Sequence, residues 1–249
     1  MKNYFEKEFE LRFFEMNHAA LATPTSMLML LEETAADHCQ SINYGLYDLI
    51  KQNVGWVLVS GRLEMYEYPA YKEKIIIRTW LSSYSSIREN IIYNSKRKII
   101  GKAKGLWLFF DIKKRKPIRI FEEIMNKWSF CKTQSIAQNI NTKISPTKNA
   151  DFTKEFYVNR FDTDMNKHVS NIKYLHWLME SLPEKITLNN HMTSIDGRFT
   201  AEAHIGNTII SQTEIDKEDP YKLIHSIKIK DTQQICAIAN TTWYNKLYF

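Results

Sequence analysis

Over most of its length this chain alternates apolar and polar residues with a period of about two, the signature of half-buried strands. Two stretches break that rhythm and follow helical spacing instead. In the first half, a strand is predicted over residues 4–14. Thr23-Pro-Thr-Ser then reads as a helix start, with Thr25 or Ser26 as the cap and Met27-Leu-Met-Leu-Leu following. The predicted helix, 27–42, is too apolar for a single narrow stripe and is expected to be largely buried. After Gly45 a short helix near 47–52 precedes strands at 56–66, 74–82, 88–95 and 102–111, rich in Val, Ile, Trp and Tyr. The second half runs in the same order. A strand at 154–158 leads through a loop to a helix at 169–181, stopped by Pro183, and strands follow at 192–203, 208–216, 221–230 and 233–244.

Between the halves, residues 132–151 are rich in Asn, Thr, Ser and Lys and carry Pro146, a composition that cannot build a core of its own. The expected organisation is an N-terminal unit over 1–131, a linker over 132–151 and a C-terminal unit over 152–249. The halves repeat one another. Trp56-Val-Leu-Val-Ser-Gly-Arg-Leu-Glu-Met lies ahead of Ile75-Ile-Ile-Arg-Thr-Trp, as Ser194-Ile-Asp-Gly-Arg-Phe-Thr-Ala-Glu-Ala lies ahead of Thr208-Ile-Ile-Ser-Gln-Thr. One helix followed by several antiparallel strands, twice, predicts an α+β chain.

Composition narrows the class. With 249 residues, 44% hydrophobic and 25% charged, the chain is globular. No window approaches the ~20 apolar residues of a membrane span, and the first residues lack the apolar core of a signal peptide, so a cytoplasmic location is expected. Cys39, Cys131 and Cys236 are scattered and odd in number, which suits small buried side chains better than disulfides. Between Lys96 and Arg119 ten basic residues face one acid, Asp111, a patch suited to steering an acidic partner. No nucleic-acid reading motif accompanies it.

Candidate chemistry concentrates at Asp164-Met-Asn-Lys-His168. Asp164, Asn166 and His168 are spaced by two, so an extended segment would turn all three to one face. Histidine exchanges protons near neutral pH, Asp can orient it or hold a water, Asn can donate to an oxygen, and the following helix start offers backbone N–H groups to a polarised carbonyl. A loop whose Asp and Asn merely cap that helix accounts for the same spacing, and both readings stand at this level. Asn171 and Tyr174, one helical turn apart, could support the loop or pack in the core. His38, His176 and His204 lack the spacing of a metal site, and no glycine-rich nucleotide loop occurs, so neither metal nor cofactor is expected.

The run from Arg160 to Pro183, with its D-x-N-x-H-V-x-N-x-x-Y segment, resembles the acyl-acyl-carrier-protein thioesterases of bacteria and plants. The likeness extends through Leu30-Leu-Glu-Glu-Thr-Ala-Ala-Asp-His38, Trp56-Val-Leu-Val, Tyr68-Pro69, Arg78-Thr-Trp80 and Trp107-Leu-Phe-Phe-Asp111. It implies a tandem (double) hotdog, two long central helices each wrapped by a curved antiparallel sheet. It also implies hydrolysis of acyl-acyl-carrier protein to free fatty acid, with Asp164, Asn166, His168 and a strand residue, Glu202, as the catalytic set. Many plant relatives carry Cys after that acid; here the residue is Ala203, so water rather than a thiol is the expected nucleophile. The resemblance further implies an acyl-chain pocket in the N-terminal unit, with Met27, Met29, Leu30 and Leu31 as lining. The acidic carrier protein would dock on Lys113, Lys114, Arg115 and Lys116, a run that otherwise reads as a solvated turn. An acyl-coenzyme A thioesterase and a non-catalytic acyl-thioester binder remain open, as do chain length and the choice of monomer or homodimer.

Overall fold

The computed structural model describes residues 3–82, 86–128, 130–140, 143–164 and 168–245, and divides the chain into a unit Met1–Ile140 and a unit Asn141–Phe249. In the first unit, β1 (Phe5–Glu10) leads to the helix α1 (Pro24–Gln40) and the short helix α2 (Leu46–Lys51). The strands β2 (Val54–Met65), β3 (Lys74–Leu81), β4 (Ile87–Asn94) and β5 (Ile99–Asp111) follow, with a two-residue β6 (Lys116–Pro117) and α3 (Glu122–Lys127) closing the unit. All pairings are antiparallel, in the order β1-β3-β4-β5-β2, with β6 folded back on the end of β5.

The second unit repeats the plan. It runs β7 (Phe152–Tyr157), α4 (Asn171–Glu180), α5 (Glu184–Asn189), β8 (Asn190–Phe199), β9 (Thr208–Ile215), β10 (Lys222–Ile229) and β11 (Ile235–Asn245). Its antiparallel order, β7-β9-β10-β11-β8, is that of the first unit with each strand replaced by its counterpart. The predicted α+β repeat is therefore present in the backbone: one principal helix and one antiparallel sheet per unit.

Local sequence explains the elements. In β3, Ile75, Ile77 and Thr79 are buried while Lys74, Ile76 and Arg78 are not, the period of two expected of a sheet with one covered face; at the strand's end Trp80 and Leu81 are buried as well. Helix α1 begins one turn earlier than predicted. Thr23, not Thr25 or Ser26, is the cap: its hydroxyl accepts from the Ser26 amide at 3.1 Å, and Pro24 takes the first helical position, where a missing N–H costs nothing. The helix is amphipathic rather than buried all round. Met27, Leu30, Leu31, Thr34 and Ala35 face inward, whereas Met29, Glu33, Ala36 and Gln40 lie outside at the helical repeat.

The stretch read as a linker is not uniformly outside. Ser135 and Ile136 are buried in the first unit, where Ser135 donates both its amide (2.9 Å) and its hydroxyl (2.6 Å) to Glu89. Glu89 is itself 0% exposed and lies 3.6 Å from the buried Lys104, so the segment satisfies a charge that would be costly alone. The division between units falls after Ile140. In the second unit the core gathers Leu182, Met192, Leu223 and Trp243 under α4 and α5.

Candidate functional site

The candidate site is assembled from two segments of the second unit, residues 159–170 ahead of α4 and residues 200–207 after β8. At the end of β7 a single 3-10 turn (Arg160–Asp162) is held by Asp162, whose carboxylate accepts from the Asn159 amide at 2.8 Å and meets Lys173 Nζ of α4 at 2.8 Å. Burial pushes the Asp162 carboxyl up, but Lys173 and the Asn159 amide outweigh it and hold the group below the usual carboxylate range. The Ser170 amide donates to the Asp162 carbonyl at 3.1 Å, and the Asp164 amide to the His168 carbonyl at 2.9 Å, with Thr163 and Val169 forming an antiparallel bridge. The segment is therefore a closed, pinned loop that delivers His168 just before the helix.

The second segment begins where β8 ends at Phe199. Thr200 leaves the ladder, its amide donating to the Cys236 carbonyl at 2.8 Å and its hydroxyl to the Ile235 carbonyl at 2.6 Å. Glu202, expected on a strand, thus lies on a loop, where its carboxylate can leave the sheet plane and reach His168. His168 Nδ1 and Glu202 Oε1 are 3.3 Å apart, with 23% and 40% of the side chains exposed, which sets the carboxylate beside the imidazole edge. The two segments are tied by the backbone: the Val169 amide donates to the Ala203 carbonyl at 3.0 Å. Ala203, fully buried, sends its own amide to the Tyr174 hydroxyl at 3.0 Å. Asp164 is exposed on the same loop as His168. Asn166 lies outside the described residues.

One member of the cluster escapes spacing rules. His204 stands two residues after Glu202, and its ring meets that of His168 edge to face with centroids 5.0 Å apart. Its loop is braced by the His204 amide donating to Asn207 Oδ1 at 2.8 Å and by Gly206, whose φ of +91° suits glycine. Only the alternation Glu202-Ala-His204 hinted at a shared face. Asn171 opens α4, and Tyr174 serves both readings offered for it, being buried and also holding the loop.

The remaining candidates separate. Met27, Leu30 and Leu31 are buried in the first unit, but Met29 is 47% exposed on the opposite face of α1 and does not line its interior. Lys113, Lys114, Arg115 and Lys116 form an exposed turn in which the Lys114 amide donates to Asp111 Oδ1 at 2.8 Å. His38 is half-buried against Phe5 and Arg88, and desolvation there with the Arg88 charge lowers its pKa to about 3. Cys236, beside Tyr174, has its thiol pushed up to about 11 by burial, which keeps it in the unreactive neutral form.

The first unit repeats the described backbone bonds of this loop with other side chains. Glu15 caps the turn as Asp162 does, accepting from the Arg12 amide at 2.7 Å. The Thr23 amide donates to the Glu15 carbonyl, the Asn17 amide to the Leu21 carbonyl at 2.8 Å, and the Ala22 amide to the Pro69 carbonyl at 2.9 Å. These bonds place Asn17 at the position of Asp164, Leu21 at that of His168, Tyr68 at that of Glu202 and Ala70 at that of His204. The polar cluster belongs to the second copy.

Comparison with known proteins agrees along the whole chain. The model of the acyl-ACP thioesterase N-terminal domain matches residues 2–128, and that of the acyl-ACP thioesterase C-terminal domain matches residues 145–245. Oleoyl-acyl carrier protein thioesterase 2 of Arabidopsis thaliana is 23% identical over 90% of this chain and 65% of its own length. The oleoyl-acyl carrier protein thioesterase of Coriandrum sativum is 25% identical over 86% and 64%. The chain thus spans slightly under two-thirds of these curated relatives. Among solved structures, the 12:0-ACP thioesterase of Umbellularia californica superposes with a TM-score of 0.86 at 18% identity, covering 99% of both chains. An acyl-ACP thioesterase of Bacteroides thetaiotaomicron gives 0.86 at 18%, covering 97% and 98%. The fold is the tandem hotdog that the sequence resemblance implies.

Proposed function

Because the chain belongs to the acyl-ACP thioesterase family, we propose that it hydrolyses the thioester of an acyl-acyl-carrier protein and releases a free fatty acid for fatty acid biosynthesis. The observation that carries this reading is the 3.3 Å contact between His168 Nδ1 and Glu202 Oε1. With its Nδ1 proton held by the carboxylate, the imidazole keeps its other nitrogen as an acceptor for a proton of water. The water oxygen bonds to the thioester carbonyl carbon. The resulting oxyanion is stabilised by backbone N–H groups at the very start of α4, ahead of Lys173, whose amide donates to the Ser170 carbonyl at 3.0 Å. Collapse breaks the carbon–sulfur bond, and the departing thiolate recovers the proton from His168. Asp164 and Asn166 are assigned to holding the water and the acyl group.

In this reading the second unit does the chemistry, and the first supplies the acyl-chain pocket, with Met27, Leu30 and Leu31 in its lining. The exposed turn at Lys113, Lys114, Arg115 and Lys116 attracts the acidic carrier protein. The test is hydrolysis by the purified chain of one acyl group carried in turn on acyl-carrier protein and on coenzyme A. Faster release from the carrier protein is expected. Equal or faster release from coenzyme A would reassign the carrier, and stoichiometric binding without free acid would make the chain a binder.

A further inference from the structure

His168 arrives at Glu202 and His204 from a different segment, so spacing along either one carries no sign of what the three form together. We propose that His168, Glu202 and His204 bind a divalent cation of the zinc class, and that occupancy of this site stops thioester hydrolysis. One ligand atom from each of the three side chains lies within 4.8 Å of the other two. Zinc holds nitrogen and oxygen ligands at about 2.0–2.2 Å in a tetrahedron, which sets neighbouring ligand atoms roughly 3.4 Å apart. The His168–Glu202 separation of 3.3 Å already matches one edge of that tetrahedron. The other edges close by rotation of Glu202 and His204, both exposed.

The backbone beneath them is fixed, which limits the ordering that a bound ion has to impose. The Ala203 amide is held by Tyr174, the Ala203 carbonyl by the Val169 amide, and the turn at His204 by Asn207. Two imidazoles and one carboxylate favour zinc, cobalt, nickel or copper over magnesium and calcium, which take oxygen ligands. Three protein ligands leave a fourth position for water. The matching loop of the first unit carries Leu21, Tyr68 and Ala70 at these places and has no such set. His204 has no part in the hydrolysis proposed above, whereas His168 and Glu202 do. A cation that takes their lone pairs removes the acceptor for the water proton. The inhibition therefore rests on that functional reading; the site itself does not.

The experiment is calorimetric titration of the chelator-treated full chain with zinc, with magnesium as control, beside hydrolysis assays with and without zinc. One zinc per chain is expected, with no heat from magnesium and loss of turnover in parallel with binding. His204→Gln and His204→Ala, at an exposed position, should each weaken zinc binding by at least about tenfold, as loss of a supporting metal-site group commonly does. Both should keep the metal-free turnover of the parent. Absence of binding in the parent chain, or undiminished affinity in both variants, overturns the site. Zinc that binds through His204 yet leaves turnover unchanged or raises it overturns the inhibition. Should the chain bind zinc in this way but hydrolyse no thioester, the site stands and the hydrolase reading falls.

Discussion

The loop from Arg12 to Thr23 and the loop from Asn159 to Ser170 share one pattern of backbone bonds at their described residues, and they differ in the side chains that this pattern carries. Each begins with a capped 3-10 turn, each closes with an amide-to-carbonyl bond four residues apart, and each is tied to a second loop after the sheet's first long strand. That second loop is matched too. Glu73 and Asn207 accept from the amides of Ala70 and His204, and Lys72 and Gly206 both have positive φ. With these bonds in common, the side chains differ. The first copy places Asn17, Leu21 and Tyr68 where the second places Asp164, His168 and Glu202, and, counting along the chain, Ala19 where the second has Asn166. Asn17 spends its side-chain oxygen on the Ala19 and Leu21 amides at 2.9 and 3.2 Å, stabilising its own loop. The shared backbone bonds alone thus do not bring a polar set together.

The hardest test of that contrast exchanges roles across the copies. Asp164→Ala, His168→Ala and Glu202→Ala should each lower turnover by about 10²–10⁴-fold, the usual contribution of a positioned acid or base. Their thermal midpoints should move by no more than about 4 °C, the shift that goes with about 1 kcal/mol in a chain of this size. Asn17→Ala should do the reverse, keeping turnover while losing about 1 kcal/mol of stability with its two loop bonds. Steady-state kinetics and thermal melts on the four variants decide it. If Asn17→Ala costs as much turnover as Asp164→Ala, the division of labour is wrong.

The units also differ in how they bury histidine, and acid should expose that. His38 sits on α1 beside Arg88, while His225, on β10, is enclosed between Thr213 (2.9 Å) and Thr241 (2.8 Å). Burial lowers both to about 3 from 6.5, with Arg88 adding to the effect at His38. Below pH 6.5 the unfolded chain takes up protons that the folded chain refuses, so stability falls as pH drops and goes on falling until about pH 3. Each group contributes a slope approaching about 1.4 kcal/mol per pH unit. Denaturant melts at pH 6 and pH 5 should differ by about 2–3 kcal/mol, and His225→Gln should roughly halve the difference. A flat profile in the parent chain would mean that these rings are protonated within the fold.

Much of this arrangement is legible from residues alone, and the misses share a cause. Alternating apolar residues announce the strands where one face is covered, as at Ile75 and Ile77 of β3. Glu202 is misplaced onto a strand because nothing in Phe-Thr-Ala-Glu-Ala marks where β8 stops. The stop is made by bonds from Thr200 to Ile235 and Cys236, which come from a distant strand. Met29 looks like its apolar neighbours but falls on the outer face once the helix is phased by Thr23 and Pro24. His204 joins His168 only through folding, and the burial of Ser135 depends on a charge at Glu89, far away in sequence. Pattern encodes what is local and periodic; the site is built from contacts that are neither.

Tyr174 offers a finer comparison. Its hydroxyl accepts from the buried Ala203 amide, whereas the first copy has Pro69 at that position, with no N–H to satisfy, and the apolar Met27 at the matching helix position. Tyr174→Phe leaves a buried donor unpaired and should cost about 1–3 kcal/mol. Adding Ala203→Pro removes the donor as the first copy does, and the double variant should recover most of the loss. The residue before a proline is driven to extended backbone. Turnover in the double variant therefore reports whether Glu202 works from the conformation that Tyr68 adopts. No recovery of stability would show that the two loops differ in backbone as well as in side chain.

The smallest effect is expected at the positive-φ corner. Gly206 has φ +91° and Lys72 has φ +66°, so the first copy lies close to the left-handed region that a side chain can enter while the second lies beyond it. A Cβ on Gly206 would meet nothing nearer than the Tyr157 hydroxyl at 3.9 Å, so Gly206→Ala tests backbone strain without a clash. It should cost about 1 kcal/mol and lower turnover, because the strained corner closes the His204–Asn207 turn that directly follows Glu202. Lys72→Gly relaxes the same corner in the first copy but gives up the exposed pair with Glu10 at 2.7 Å, worth little on the surface. Its stability should change by less than that of Gly206→Ala, and its turnover not at all. Equal effects of the two substitutions on turnover would mean that both copies of the loop, and not the second alone, set the geometry of the site.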